Sequence, residues 1–262
     1  MDERLSRDAI IAHLHERFEA WPAARAAWLG GSDASGRTDR HSDIDFQLIV
    51  ADGQVEEAFE RLHAALEELA PIELAHRLPE PTWHGFSQEF LRLAGSSPDH
   101  FVDFVALAES TPPEARFLEV ERHGQPRALF DRGDWLAAPA LDRAAHGERL
   151  RRRLEVLRTT FELFGPMVTR SVRRGLPVEA ATFYTRFALA PLVELLRMRH
   201  DPARFDFGLR YLDRDLPPEA YAFVQELAFP RDAADCERLQ AKARERFHAE
   251  LAALAAGVWS LS

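Results

Sequence analysis

The feature that most constrains this chain is a pair of short apolar segments separated by a glycine-rich turn and two closely spaced carboxylates. Residues 25–30 predict a strand that runs into a Gly-Gly-Ser turn, and residues 43–51, DIDFQLIVA, predict a second strand. Because side chains i and i+2 of a strand point to the same face, Asp43 and Asp45 are expected to lie side by side. Two such carboxylates repel each other unless a cation lies between them.

The turn itself supplies groups that suit a phosphate. Gly30, Gly31 and Ser32 can present backbone N–H groups and a hydroxyl to an anion. A hard cation such as Mg²⁺ prefers a few carboxylate oxygens together with phosphate oxygens and water. Each part alone is common, but the order of strand, turn, polar loop and Asp-Ile-Asp at a strand start indicates phosphoryl or nucleotidyl transfer.

The rest of the chain divides near residue 139. In the first part the periodicity of apolar residues predicts helices at 7–21 and 54–69 and strands at 72–78, 87–95, 100–108, 117–121 and 127–131. Strand signals then stop, and helices are expected at 141–175, 177–200, 217–228 and 232–256. The expected organisation is therefore a mixed α and β region over residues 1–138 and a helical region over residues 139–262.

The stretch GGSDASGRTDRHSDIDF resembles the signature of the nucleotidyltransferase superfamily, Gly-Ser followed by Asp-x-Asp. DNA polymerase beta, poly(A) polymerases and aminoglycoside nucleotidyltransferases share that superfamily. The layout is most similar to the small bacterial antibiotic enzymes, such as those for kanamycin or for streptomycin and spectinomycin. The resemblance implies an α+β fold, in which a nucleotidyltransferase-type domain with a mixed sheet precedes a helical bundle.

The same resemblance implies an activity. A nucleoside monophosphate, expected to be AMP from ATP, would pass to a hydroxyl of a small-molecule acceptor, possible examples being aminoglycoside-like antibiotics, with Mg²⁺ or Mn²⁺ as the cofactor. Two alternatives stay open. One is the same chemistry on a protein or an RNA, and the other is a non-catalytic, antitoxin-like module that binds nucleotides.

Residue roles follow from the matched motif. Gly31 and Ser32 would hold the triphosphate, and Asp43 and Asp45 would bind the metal ions. Further candidate nucleotide contacts are Gly30, Arg37 and Ser42.

The family adds a third acidic residue from a later strand, and this sequence offers two candidates. Asp103 lies inside the apolar run FVDFVAL, where a lone carboxylate is costly unless it has a partner. Glu73 lies nearer a strand start, where exposure is cheap. Asp103 is therefore the preferred third ligand and Glu73 the alternative. Asp103 could also be an edge-strand charge that faces solvent.

A general base is the remaining part. In the kanamycin enzyme's family this base is a glutamate of the helical domain, and Glu194 is the best-placed candidate here. At helical spacing it shares a stripe with apolar residues, which is an unusual setting for a carboxylate. An ion pair with Arg197 or Arg186 is the structural alternative.

Composition limits the partners. The formal net charge of -10 argues against a generic duplex-DNA binder, which needs a surplus of basic residues, so nucleic acid is not an expected partner. A charged N-terminus and the lack of a long apolar run predict a cytoplasmic protein that does not contact membranes. A single cysteine, Cys236, excludes an internal disulfide. Trp83, His84 and Phe86 lie close together and suit core packing or, as an alternative, stacking on a base.

Overall fold

The computed structural model describes residues 2–255, which form two compact units that divide between Leu141 and Asp142. The first unit contains a mixed sheet and the second contains helices, which confirms the α+β class that the sequence predicts.

The first unit is built on a six-stranded sheet with the order β3-β4-β5-β2-β1-β6. Its strands are β1 (Ala24–Leu29), β2 (Ile44–Val50), β3 (Ile72–Arg77), β4 (Ser87–Leu93), β5 (Val102–Ala108) and β6 (Arg127–Asp131). Its helices are α1 (Arg7–Glu19), the short turns α2 (Gly31–Ala34) and α4 (Val120–His123), and α3 (Val55–Glu67). All strand pairs are antiparallel except β2 with β5, which is parallel.

The two faces of this sheet differ. Alternate residues of β2, namely Ile44, Phe46 and Leu48, are buried in a core that includes the apolar sides of α1 and α3. The intervening residues Asp45 and Gln47 point to the opposite face, as the two-residue period of a strand requires. Further along that opposite face a smaller apolar cluster covers the sheet, formed by Trp28, Ile49, Phe86, Val105, Leu107 and Leu118. The polar end of this face is where the candidate site lies.

Two sequence expectations for this unit need correction. Residues 117–121 are not a strand, because Phe117 adopts a left-handed backbone conformation with φ of 56° and α4 begins at Val120. An extended segment cannot continue through such a residue. The Gly-Gly-Ser segment is not an open turn, since Gly31 begins the single helical turn α2 with Gly30 as its N-cap.

The second unit consists of helices, some of them very short. They are α5 (Arg143–Phe164), α6 (Pro166–Arg173), α7 (Pro177–Tyr184), α8 (Ala190–His200), α9 (Leu212–Asp215), α10 (Pro218–Ala228) and α11 (Ala233–Ala255). They enclose one apolar cluster that includes the stacked rings of Phe161 and Phe247, whose centroids are 3.7 Å apart. The last residue of the expected helix 232–256 lies outside the described residues.

The expected single helix over 141–175 is interrupted. Proline lacks the N–H that would continue the ladder, so α5 ends before Gly165 and α6 begins at Pro166. The expected helix over 177–200 contains a π-helical turn, Thr185–Leu189, directly before α8. Pro191 lies in the first turn of α8, and its missing hydrogen bond agrees with the irregular turn that precedes it.

Among residues 2–255, no helix combines the length and the apolar character that crossing a membrane would require. Cys236 is a buried free thiol.

Candidate functional site

Three aspartates meet where β2 and β5 begin, on the sheet face opposite α1 and α3. Asp45 is the register partner of Asp103 on the parallel neighbour strand. Directly opposed residues of adjacent strands share a face, so these two side chains are neighbours. Asp43 precedes Asp45 by two residues, and the two carboxyls are close enough to hydrogen-bond when one is protonated. Because β5 is an interior strand, Asp103 is not a solvent-facing edge charge.

The environment of these carboxyls disfavours their charged forms. Burial, followed by the charges of Asp43 and Asp103, raises the pKa of Asp45 to about 7. Burial likewise raises the pKa of Asp103 to about 6, although Gln88 Nε2 donates a 2.6 Å hydrogen bond to its Oδ1 and opposes the shift. The pKa of Asp43 is also raised by burial. Ionising all three carboxyls together is therefore unfavourable unless a cation that the protein itself does not supply lies between them.

The two glycines make room for the polar side chains of β2. A Cβ at Gly31 would lie 1.8 Å from Asp45 Oδ2, and the φ of this residue is 49°. A Cβ at Gly30 would lie 2.7 Å from Gln47 Nε2. No other residue fits either position unless β2 side chains move, so the Gly-Gly pair and the carboxylates belong to one arrangement.

Ser32 is the next residue, and its side chain is unusual. Its Oγ is buried, yet it has no hydrogen-bond partner among the described residues. Burying a hydroxyl without a hydrogen-bond partner costs free energy. A ligand oxygen that accepts a hydrogen bond from this hydroxyl would recover that cost. The unpartnered hydroxyl lies one residue from Gly31, whose backbone packs against Asp45.

A buried arginine, which the sequence analysis did not single out, holds the Gly-Gly-Ser segment next to the start of β2. Arg7 of α1 donates from Nε to the Asp43 backbone carbonyl at 2.8 Å, and its second arm contacts the Asp33 carboxylate. Asp33 also accepts from Arg127 of β6 at 2.9 Å. Arg7 thereby ties the start of β2 to α2. The signal was present, since Arg7 lies three, four and seven residues before Ile10, Ile11 and Leu14 on the buried side of α1.

The other two candidate nucleotide contacts, in the loop between α2 and β2, are placed less favourably for binding a nucleotide than Ser32 is. The Ser42 hydroxyl is occupied within the loop, since it accepts from Asp39 N at 2.9 Å and contacts the Asp39 carboxylate. Arg37 is exposed, and its backbone N–H bonds the Ser32 carbonyl at 2.9 Å. Both assignments stay predictions.

Glu73 and Glu194 have ion-pair partners. Glu73 lies on the edge strand β3, separated from β5 by β4, and pairs with Arg92 at 3.2 Å, which removes the case for it as third ligand. Glu194 accepts two hydrogen bonds from Arg153 of α5, at 2.6 and 2.8 Å, and not from Arg197 or Arg186. Its role as a general base stays a prediction. To take a proton from an acceptor hydroxyl, the Glu194 carboxylate would have to give up a hydrogen bond from the Arg153 guanidinium.

A metal ion is the natural complement of the aspartate cluster, and the fit can be tested on the donor set. The three aspartates are half-buried and offer the carboxylate oxygens that a hard divalent cation takes, and a bound cation would displace the protons that their raised pKa values retain. Nowhere in residues 2–255, however, do three or more His, Cys, Asp or Glu side chains already stand as a group that could hold a metal ion. The donor chemistry fits, and metal binding would require the aspartate side chains to adjust.

Comparisons with known proteins give limited similarity. No protein-family model matches the chain, and no curated protein matches its sequence. Among solved structures it is similar to an aminoglycoside 6-adenyltransferase from Bacillus subtilis at 12% identity, over 94% of this chain and 92% of that one, with a TM-score of 0.35. It is also similar to a spectinomycin adenyltransferase from Enterococcus faecialis, with ATP and spectinomycin, at 11% identity, over 92% and 89%, with a TM-score of 0.35. Likeness at this level carries no functional argument, which therefore depends on the site.

Proposed function

We propose that this chain is a nucleotidyltransferase that moves a nucleoside monophosphate from a nucleoside triphosphate to a hydroxyl of a small molecule, with Mg²⁺ or Mn²⁺ as cofactor. ATP is the expected donor, and an aminoglycoside-like antibiotic is an expected kind of acceptor. The observation that supports the proposal most directly is the register of Asp45 with Asp103 beside Asp43. The pair lies next to a Gly-Gly-Ser segment whose hydroxyl has no partner in the described part of the chain.

Each of these residues has a role in the proposal. Asp43, Asp45 and Asp103 would hold the divalent cation, which supplies charge neutralisation of the phosphates and of the attacking and leaving oxygens. Gly31 leaves room for the Asp45 carboxylate, and the Ser32 hydroxyl would donate to a phosphate oxygen. Arg7 holds the backbone of Asp43 and, through Asp33, the turn that carries Ser32. The protein's contribution is therefore mainly positioning and charge compensation.

The test is pyrophosphate release from each nucleoside triphosphate with Mg²⁺ or Mn²⁺, alone and with aminoglycosides, lincosamides, tRNA or a protein acceptor. The proposal expects release that requires the metal and that rises with a small hydroxylated compound. Stimulation by tRNA or protein alone would identify a macromolecular acceptor. Calorimetry that detects no metal-dependent nucleotide binding would contradict the proposal as a whole.

A further inference from the structure

The β3–β4 hairpin carries an exposed ring that two intervening side chains connect to the aspartate cluster. The Trp83 side chain is 89% exposed, whereas Trp21 and Trp28 are buried. Tryptophan has a large apolar surface, and at binding sites it is among the residues that contribute most energy. A tryptophan this exposed therefore needs a reason, and its surroundings supply one.

The loop that carries Trp83 is braced and not loose. Thr82 Oγ1 donates to the Phe86 carbonyl at 2.6 Å, and Ser87 Oγ donates to Glu80 at 2.6 Å. Phe86 is buried in the apolar cluster that covers the far end of the same sheet face. These hydrogen bonds thus hold the backbone on both sides of Trp83.

A short chain of side chains joins Trp83 to the candidate site. The rings of Trp83 and His84 meet edge to face with centroids 4.9 Å apart. His84 Nε2 lies 2.8 Å from Gln88 Oε1, and Gln88 Nε2 donates to Asp103. The Phe86 N–H donates to His84 Nδ1, so the imidazole proton of His84 is assigned to Nε2. His84 Nε2 then donates to Gln88 Oε1, and Gln88 Nε2 donates to Asp103.

The strand order indicates which substrate would approach this side. The Gly-Gly-Ser segment follows β1, and the sheet then continues through β2 and β5 to β4. In an in-line displacement the attacking and leaving oxygens lie on opposite sides of the phosphorus. If the leaving pyrophosphate lies beside β1, the attacking hydroxyl enters from the side of β5 and β4.

We propose that the β3–β4 hairpin is the acceptor-binding element of this site, with Trp83 packing on a ring of a hydroxyl-bearing acceptor. His84 and Gln88 are positioning residues that fix the Asp103 carboxyl next to that acceptor. The inference rests on the proposed nucleotidyl transfer, and it assigns specificity for the acceptor, and not for the nucleotide, to the hairpin. The sequence favoured core packing for this segment, which holds for Phe86 but not for Trp83.

The test compares Trp83→Ala and Trp83→Phe with the parent. Phe229→Ala is the matched control, because Phe229 is an equally exposed ring (85%) in the helical unit. Calorimetry would measure binding of Mn²⁺ with a non-hydrolysable ATP analogue, and then of kanamycin, streptomycin and spectinomycin to the nucleotide-loaded protein.

We expect at least one of the three compounds to bind the parent and to bind Trp83→Ala at least 10-fold more weakly, which is a loss of about 1.4 kcal/mol. Trp83→Phe should retain most of the affinity, Phe229→Ala should match the parent, and the nucleotide affinity should be equal in all four proteins. A drop in nucleotide affinity in Trp83→Ala would make Trp83 a platform for the base and overturn the inference. Binding of all three compounds that is absent or independent of Trp83 would overturn it as well. A parent that fails to bind metal and nucleotide would instead overturn the proposed function, and the inference with it.

Discussion

Two buried acids of the helical unit and the three half-buried aspartates of the candidate site have their charges compensated in opposite ways. In the helical unit Asp215 pairs with Arg197 at 2.6 Å and with Arg204 at 3.0 Å. Glu250 pairs with Arg199 at 2.8 Å and with Arg246 at 2.6 Å, and these partners lower its pKa despite its burial. Two arginines thus neutralise each of these acids.

At the candidate site of the sheet unit the arrangement is reversed, although the neighbouring Asp33, whose side chain is buried, is paired with Arg7 and Arg127. Burial, with the charges of Asp43 and Asp103 added to it, raises the pKa of Asp45. Arg7, which bonds the Asp43 carbonyl and the Asp33 carboxylate, opposes this rise only in part. Buried charges that serve the fold are paired, because an unpaired one is strongly destabilising. Repulsion that is left in place is a common feature of groups of residues that serve binding or chemistry. The predictions below test this contrast.

The largest effect should come from the unpaired acids. Asp43→Asn and Asp45→Asn each keep the side-chain shape but remove a charge that the metal needs, so pyrophosphate release should fall at least about 10³-fold. Circular dichroism should show an intact fold. Asp52→Asn, an exposed carboxylate just beyond the other end of β2, is the control and should retain activity. Parent-like turnover in either of the first two variants would refute the site.

The paired acids should respond in stability instead. Arg197→Ala would leave the buried Asp215 with Arg204 alone, and denaturant titration should show a loss of about 3 kcal/mol in the free energy of unfolding. Metal-dependent nucleotide affinity should not change in this variant. A loss below about 1 kcal/mol would mean that the Arg197–Asp215 pair contributes no more than a surface ion pair. The contrast between paired acids that stabilise the fold and unpaired acids at the site would then be wrong.

Glu194 tests whether a paired acid of the helical unit can also take part in chemistry. If it is the general base, Glu194→Gln should lower turnover with a working acceptor about 100-fold while nucleotide affinity stays the same. Arg153→Met, which removes the guanidinium from Glu194, should then leave more activity than Glu194→Gln does. Unchanged turnover in Glu194→Gln would make the Arg153 pair purely structural.

The smallest effect concerns stability and pH in metal-free protein. The pKa of Asp45 rises from 3.8 to about 7 on folding, so the folded state retains a proton that the unfolded chain releases between those values. The free energy of unfolding should therefore fall as the pH rises from about 4 to about 7. Asp45→Asn should remove this loss and stabilise the protein at pH 8, with little effect at pH 4.

Glu250→Gln is the comparison for that experiment, because Glu250 should change the free energy of unfolding with pH in the opposite direction. The pKa of Glu250 is lowered in the folded protein, so its contribution to stability is present above its ordinary pKa and is lost as the pH falls through the lowered value. Glu250→Gln should thus destabilise the protein at pH 8. Both variants shifting stability in the same direction would contradict the contrast.

The sequence predicted the sheet unit well where the pattern was local. The strand that starts at Ile44, the shared face of Asp43 and Asp45 and the strand around Asp103 all follow from two-residue periodicity and apolar runs. Pairing between distant strands has no local signature. The register of Asp45 with Asp103 could therefore be expected only through the resemblance.

Other parts of the site could not be read from the sequence. Gln88 and His84 matter through contacts that depend on how the β3–β4 hairpin folds back, and residue type alone does not report such contacts. The helix break at Gly165 has a local sequence signal, because Pro166 follows it directly. The apolar periodicity nevertheless continues through α5 and α6 and predicts a single helix.

The parallel pairing of β2 with β5 also has a consequence for how the chain folds. A parallel pair needs a long crossover, and here the crossover contains α3, β3 and β4. Asp45 and Asp103 therefore approach each other only when this large loop closes, and repulsion between their charged forms opposes that closure. Neutralising Asp45 should speed refolding of the sheet unit at neutral pH, and a divalent cation that bridges the two strands should hold the closed crossover once it has formed.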